Sequence, residues 1–184
     1  KRETPDQVER SADLRAALAA ADLTVAPWPA FRGVDRSGRV AGVKITPWTT
    51  TPNQLWKTRV GPAWSSFAVA GNFLFTQEQR GESEHVVCYF AVSGAEVWNH
   101  SVESRFEDSL GGPGPRATPT FAHESLFAMG AEGWLMRLDS RNGALKWKQD
   151  LRDVANCKPP QWGFSSSPLV VKGHVIVHAG GGGD

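Results

Sequence analysis

The sequence predicts an all-β fold, a β-propeller of four-stranded antiparallel blades, and three observations carry that reading. First, 19 Gly and 12 Pro in 184 residues call for many turns, with 40% hydrophobic residues to fill a core. Second, three apolar stretches repeat: Ser65-Ser66-Phe67-Ala68-Val69, Ala117-Thr118-Pro119-Thr120-Phe121 and Ser166-Ser167-Pro168-Leu169-Val170. Each is followed at the same spacing by a second run, Phe73-Leu74-Phe75, Ser125-Leu126-Phe127 and His174-Val175-Ile176-Val177. Third, Ser66 to Thr118 to Ser167 gives steps of 52 and 49 residues, a period that suits one propeller blade per unit.

The elements follow in order. Residues 4–21 read as a helix, with Thr4 as cap, Pro5 at the first helical position and Gln7 closing a capping box. Leu14, Ala17, Leu18 and Ala21 share one face, small enough to predict weak packing, so 1–24 reads as helix and linker. Residues 25–184 read as a partial propeller. From Trp28 to Gly38 there are turn-formers and no periodicity, and Pro27, Pro29, Pro47 and Pro52 keep the chain extended. The first blade spans about 65–102, with strands near 66–70, 73–77, 85–90 and 95–100. The second spans about 117–151, with strands near 118–122, 125–129, 134–139 and 144–149, and 166–184 begins a third. Ser93-Gly94 and Asn142-Gly143 supply the tight turn before each last strand. Trp56, Trp98 and Trp147 recur in matching Leu/Val/Lys-Trp contexts and read as structural filler between blades.

Several function classes drop out. Lys+Arg 20 against Asp+Glu 19 leaves +1, so no charge excess points to nucleic acid. No run of 18 apolar residues could span a membrane, and the sequence opens at Lys1 without a signal-type stretch, so a targeting segment is expected outside it. The five histidines lack metal spacing, and no metal is expected. Gly111-Gly112-Pro113-Gly114 does not open a helix after a strand, as a phosphate loop would. Cys88 and Cys157 admit either a disulfide or two free, partly buried thiols.

The segments that lead into each first strand should meet on one propeller face: Gly61 to Trp64, Gly111 to Arg116, and Pro159 to Phe164. The connection Gln77 to Glu82 should open there too. Trp64, Glu78, Arg80, Arg116 and Trp162 would then form a shallow aromatic and charged pocket for a ligand or partner. The alternative is that Trp and Pro stiffen these loops and that Arg116 pairs with a neighbour. No catalytic residue is nominated.

Leu138-Asp139-Ser140-Arg141-Asn142-Gly143-Ala144-Leu145-Lys146-Trp147 resembles the repeat of pyrroloquinoline-quinone (PQQ) enzymes and their non-enzymatic relatives. Tyr89 to Trp98 is a weaker copy with Phe90 in place of Asp, and Trp28-Pro29-Ala30-Phe31-Arg32-Gly33 is similar to the start of many bacterial PQQ-like repeat proteins. The resemblance implies that Asn53 to Val60 is the strand that closes the ring, with its partners at the C-terminal end of a full-length protein, and that two and a half blades belong to a larger wheel or have open edges through which copies could associate. It implies an extracytoplasmic, periplasmic or membrane-tethered location and a non-catalytic scaffold, like the lipoproteins that assist outer-membrane assembly, with a protein partner or small ligand at the loop face. A fragment without independent activity fits as well. The alternative is a PQQ- and calcium-dependent alcohol or sugar dehydrogenase. Such enzymes commonly carry adjacent cysteines, unlike Cys88 and Cys157, and no Glu-Asn-Asp set can be assigned, so no cofactor is expected.

Overall fold

A computed structural model describes residues 5–180. The first blade is a four-stranded antiparallel sheet of β1 (Ala68–Ala70), β2 (Phe73–Arg80), β3 (Ser83–Phe90) and β4 (Glu96–Glu103), paired in chain order. A short hairpin, β5 (Glu107–Asp108) with β6 (Gly112–Pro113), leads to the second blade. That blade is β7 (Thr120–Ala122), β8 (Ser125–Met129), β9 (Trp134–Asp139) and β10 (Leu145–Asp150), again paired in chain order. The third unit contributes β11 (Leu169–Val171) and β12 (His174–Ile176). Two helices occur among the described residues, α1 (Pro5–Ala20) and the single turn α2 (Leu151–Val154), which Asp150 caps by accepting the Arg152 N–H. This is an all-β partial propeller with a short N-terminal helix.

The first hairpin of every unit turns on two residues. Gly71-Asn72 does so in the first, while His123-Glu124 (φ 49° and 53°) and Lys172-Gly173 (φ 47° and 76°) hold left-handed pairs in the others. Such pairs match the twist of the strands they join.

Adjacent units are joined in two ways. Along the inner strands, the Ser66 N–H donates to Thr118 Oγ1 at 2.9 Å and the Thr118 N–H donates to Ser167 Oγ at 2.9 Å. The three residues that set the sequence period are therefore bonded in series. Farther out, tryptophans lie on glycines. A Cβ on Gly94 would sit 2.4 Å from the Trp56 ring, and one on Gly143 2.5 Å from the Trp98 ring. The Trp56 Nε1–H donates to Ala91 O at 2.9 Å and the Trp98 Nε1–H to Ser140 O at 3.1 Å, so both indoles grip the turn that carries the glycine. Trp147 packs on Phe127, ring centroids 6.2 Å apart, and is half-buried.

The main core lies between the first two blades. Phe75 stacks on Phe121 at 6.0 Å and meets Trp98 at 6.0 Å, with Leu126, Met136 and Leu138 around them. A smaller core of Met129, Leu135, Leu151 and Phe164 joins the second blade to the third unit.

The structure departs from the sequence reading in three places. Helix α1 is not weakly packed. Leu18 is fully buried in the main core and Leu14 packs against it, while the Arg141 guanidinium donates to Leu18 O and Ala19 O at the helix C-terminus. Asn53 to Val60 pairs with no strand among the described residues. Glu78 to Arg80 belongs to β2 rather than to a loop, the turn being Gly81-Glu82 alone. The hairpin β5–β6 has no counterpart in the predicted elements. The Thr4 cap and the terminal Gly181 to Asp184 lie outside the described residues.

Candidate functional site

Because the inner strands of successive units stand side by side, equivalent positions on the chain preceding them converge. Trp64, Arg116 and Ser165 each lie two residues before the hydroxyl residues Ser66, Thr118 and Ser167. All three line one cleft of about 310 Å³, together with Asp108, Leu110, Gly111 and Trp162. Its walls are apolar and open: Trp64 is 67% exposed, Trp162 48% and Leu110 81%.

Arg116 sits at the base of the cleft with its bonding capacity used. Its Nη2 donates to Asp108 and to Gly112 O (2.7 Å), its Nη1 to Gly114 O (2.9 Å) and its Nε to Trp162 O (3.3 Å). The guanidinium also lies 5.0 Å over the Phe106 ring. The Gly111 N–H, followed by those of Leu110 and the Arg116 guanidinium, holds the Asp108 carboxyl below the usual range. The ion pair is therefore neutral as a unit and fixes the glycine-rich hairpin. Trp64 is fixed as well, since its Nε1–H donates to Gly111 O at 2.8 Å and its backbone N–H to Pro115 O at 2.9 Å.

Glu78 and Arg80 lie elsewhere. They share a separate cavity of about 430 Å³ with Thr58, Arg59, Val60, Gly61, Tyr89 and Glu96. Glu78 is 2% exposed and accepts from Arg80 Nε at 2.5 Å, from the Tyr89 hydroxyl at 3.2 Å and from the Gly61 N–H at 3.1 Å. Arg80 reaches Glu96 at 2.8 Å. Burial works against the Arg80 charge, but Glu96 and Glu78 outweigh it and raise the guanidinium's pKa; burial and Glu78 push the Tyr89 phenol up. Gly61 is needed here, because a Cβ would lie 2.1 Å from Gln79 O. These groups are mutually satisfied, and they hold residues 58–61 against the first blade.

The structure thus gathers Trp64, Arg116 and Trp162 and separates them from Glu78 and Arg80. Sequence reasoning missed Asp108, Leu110 and Ser165 in the cleft. The repeat register could have found Ser165, but nothing in the period points to Asp108, whose hairpin occurs once. It also missed Glu84 on β3, 5% exposed, whose Oε1 accepts the Ala131 N–H of the second blade at 3.1 Å. Burial raises that carboxyl to about 7 despite the bond. Cys88 and Cys157 are free thiols, Cys88 fully buried, and no group of three His, Cys, Asp or Glu able to hold a metal occurs among the described residues. No helix among them is long and apolar enough to cross a membrane.

Comparison with known proteins follows from this geometry. Residues 36–183 match the family model described as outer membrane protein assembly factor BamB. No curated protein matches the chain. Among solved structures, a europium-containing methanol dehydrogenase is 19% identical at a TM-score of 0.47, over 65% of this chain and 20% of that one. BamB from Moraxella catarrhalis is 19% identical at a TM-score of 0.40, over 58% of this chain and 27% of that one. The chain thus spans about a fifth to a quarter of the length of these structures. With most of its length matched by the family model and its blades joined unit to unit at the repeat period, the chain belongs to the BamB-type family of PQQ-like repeat propellers.

Proposed function

We propose that this chain is the recognition part of a non-catalytic, extracytoplasmic propeller that holds an apolar segment of a partner protein in the Trp64–Trp162 cleft. One observation carries the proposal: two exposed indoles and Leu110 surround a cleft whose ion pair is already internally neutralised. Contiguous exposed apolar surface marks interaction sites, and tryptophans supply much of the binding energy at interfaces. Because Trp64 is held by two hydrogen bonds before any partner arrives, little ordering cost remains on that side. The family's description as an outer membrane assembly factor agrees with a partner whose segments alternate aromatic and polar residues.

The residues lining this cleft do not fit a quinone with its calcium. Calcium takes six to eight oxygen ligands, whereas the cleft offers one carboxylate, and Arg116 already occupies it. No catalytic step is assigned to these residues.

The test is tryptophan fluorescence during titration with a synthetic peptide of about ten residues that alternates Phe or Tyr with Ser or Thr, the pattern of an outer-membrane strand. Saturable binding is expected, weakened about tenfold or more by Trp64→Ala and by Trp162→Ala. Absence of saturable binding overturns the proposal. So does stoichiometric binding of PQQ in the presence of Ca²⁺, coupled to dye-linked alcohol oxidation.

A further inference from the structure

We propose that residues 25–38, which belong to no blade, act as an axial strap that ties three successive units together and shields their inner edges. The inner edge of a propeller blade is an open strand edge, and its unpaired N–H and C=O groups need partners. Here they find them in one short segment. Val25 O accepts the Gly71 N–H at 3.1 Å and Trp28 O accepts the Val69 N–H at 2.6 Å, on the side of β1 opposite β2. Pro29 O accepts the Phe121 N–H of β7 at 2.7 Å. Arg36 then reaches the third unit, donating to Ser167 O at 3.2 Å and to Pro168 O. Three units are thereby bonded to fourteen consecutive residues.

The composition of the segment suits that task. Pro27 and Pro29 offer only carbonyls, so neither brings a donor that would need its own partner. The Trp28 ring covers Gly33, where a Cβ would meet it at 2.8 Å and where φ is +84°. Gly33, Arg36 and Gly38 N–H groups donate back to Ala30, Gly33 and Arg32 carbonyls at 3.0, 3.3 and 2.8 Å. Arg32 Nη2 donates to Ser37 O and Asp35 accepts the Ser37 N–H, so the knot carries bonds of its own besides those to the blades. Ala30 is buried, 5% exposed, and Ala26 packs against the main core. An axial ligand would have to displace this strap to reach the Val69 and Phe121 amides.

Amide exchange on the unmodified chain is the direct test. The Val69 and Phe121 amides are expected to exchange about a hundredfold or more slower than free amides, although neither carries its hydrogen bond within its own blade. Gly33→Val, which drives a side chain into Trp28, is expected to speed both by about tenfold or more while Val86 and Val87 in β3 stay protected. Arg36→Ala should loosen only the residues around Ser167. Free exchange at Val69 and Phe121 in the unmodified chain overturns the proposal. Unchanged exchange in a folded Gly33→Val variant overturns it too. If that variant fails to fold, the unmodified chain and Arg36→Ala decide.

Discussion

Glu84 shows how much one buried carboxylate can weigh in a join between blades. It crosses from β3 to the turn at Gly130-Ala131, and a Cβ on Gly130 would lie 2.3 Å from its Oε2. Ala131 O in turn accepts the Phe164 N–H at 2.8 Å, so the same turn supports the chain next to Trp162. Burial, with Glu132 nearby and only partial relief from the Ala131 N–H and Arg116, raises its pKa from 4.5 to about 7. Between those values the folded chain keeps a proton that the unfolded chain has released. Stability from this group is therefore full below 4.5, falls as pH rises towards 7, and is level above. Glu84→Gln keeps a carbonyl acceptor for Ala131 and removes the charge. It is expected to be about 1–3 kcal/mol more stable than the parent at pH 8 and near parity at pH 4.5, measured by urea unfolding. An equal difference at both pH values would refute this account.

Strand identity was legible where an apolar run recurred at the repeat spacing, as in Phe73–Phe75, or followed a turn signal, as in Leu145–Trp147 after Asn142-Gly143. It was not legible at Glu78 to Arg80, the end of a polar run that sequence alone reads as loop. Those residues stay in β2 because Arg80 and Tyr89 satisfy Glu78, and because Gln77 Nε2 donates to Ala117 O of the second blade at 2.7 Å. Likewise the anchoring of α1 depends on Arg141, more than a hundred residues away, which no local pattern reveals. The contact between Trp98 and Gly143 makes a prediction at this scale. Gly143→Ala must find room 2.5 Å from the indole at φ +73°, and is expected to cost about 2–4 kcal/mol. Gly173→Ala, at φ +76° with nothing within 4 Å, should cost about 1 kcal/mol. Thermal unfolding of the two variants should separate them clearly.

Over the whole molecule, neighbours support neighbours, as in other repeat architectures. Thr118 is the middle link, accepting from Ser66 and donating to Ser167, and it is 1% exposed. Thr118→Val preserves shape but removes the acceptor of the part-buried Ser66 N–H, and is expected to cost about 0.5–1.5 kcal/mol. A lower urea midpoint checks it; an unchanged one would show that the inner ladder adds nothing. This scale was also the most readable in the sequence, since the period that places Ser66, Thr118 and Ser167 in register also brings Trp64, Arg116 and Ser165 to one cleft, with Trp162 on the segment leading into the third unit. Glu78 and Arg80 escaped that logic, because a long β2 carried them away from the rim.

Each indole that grips a glycine does so across a boundary, Trp98 from one blade and Gly143 from the next. A blade excised between its own first and last strands would carry a tryptophan with no seat and a seat with no tryptophan. Gene duplication or grafting in this family should therefore preserve fit only when the copied stretch is one full period long, whatever its starting point. A designer who lengthens or shortens such a wheel would do better to cut in register than at the visible edges of a sheet.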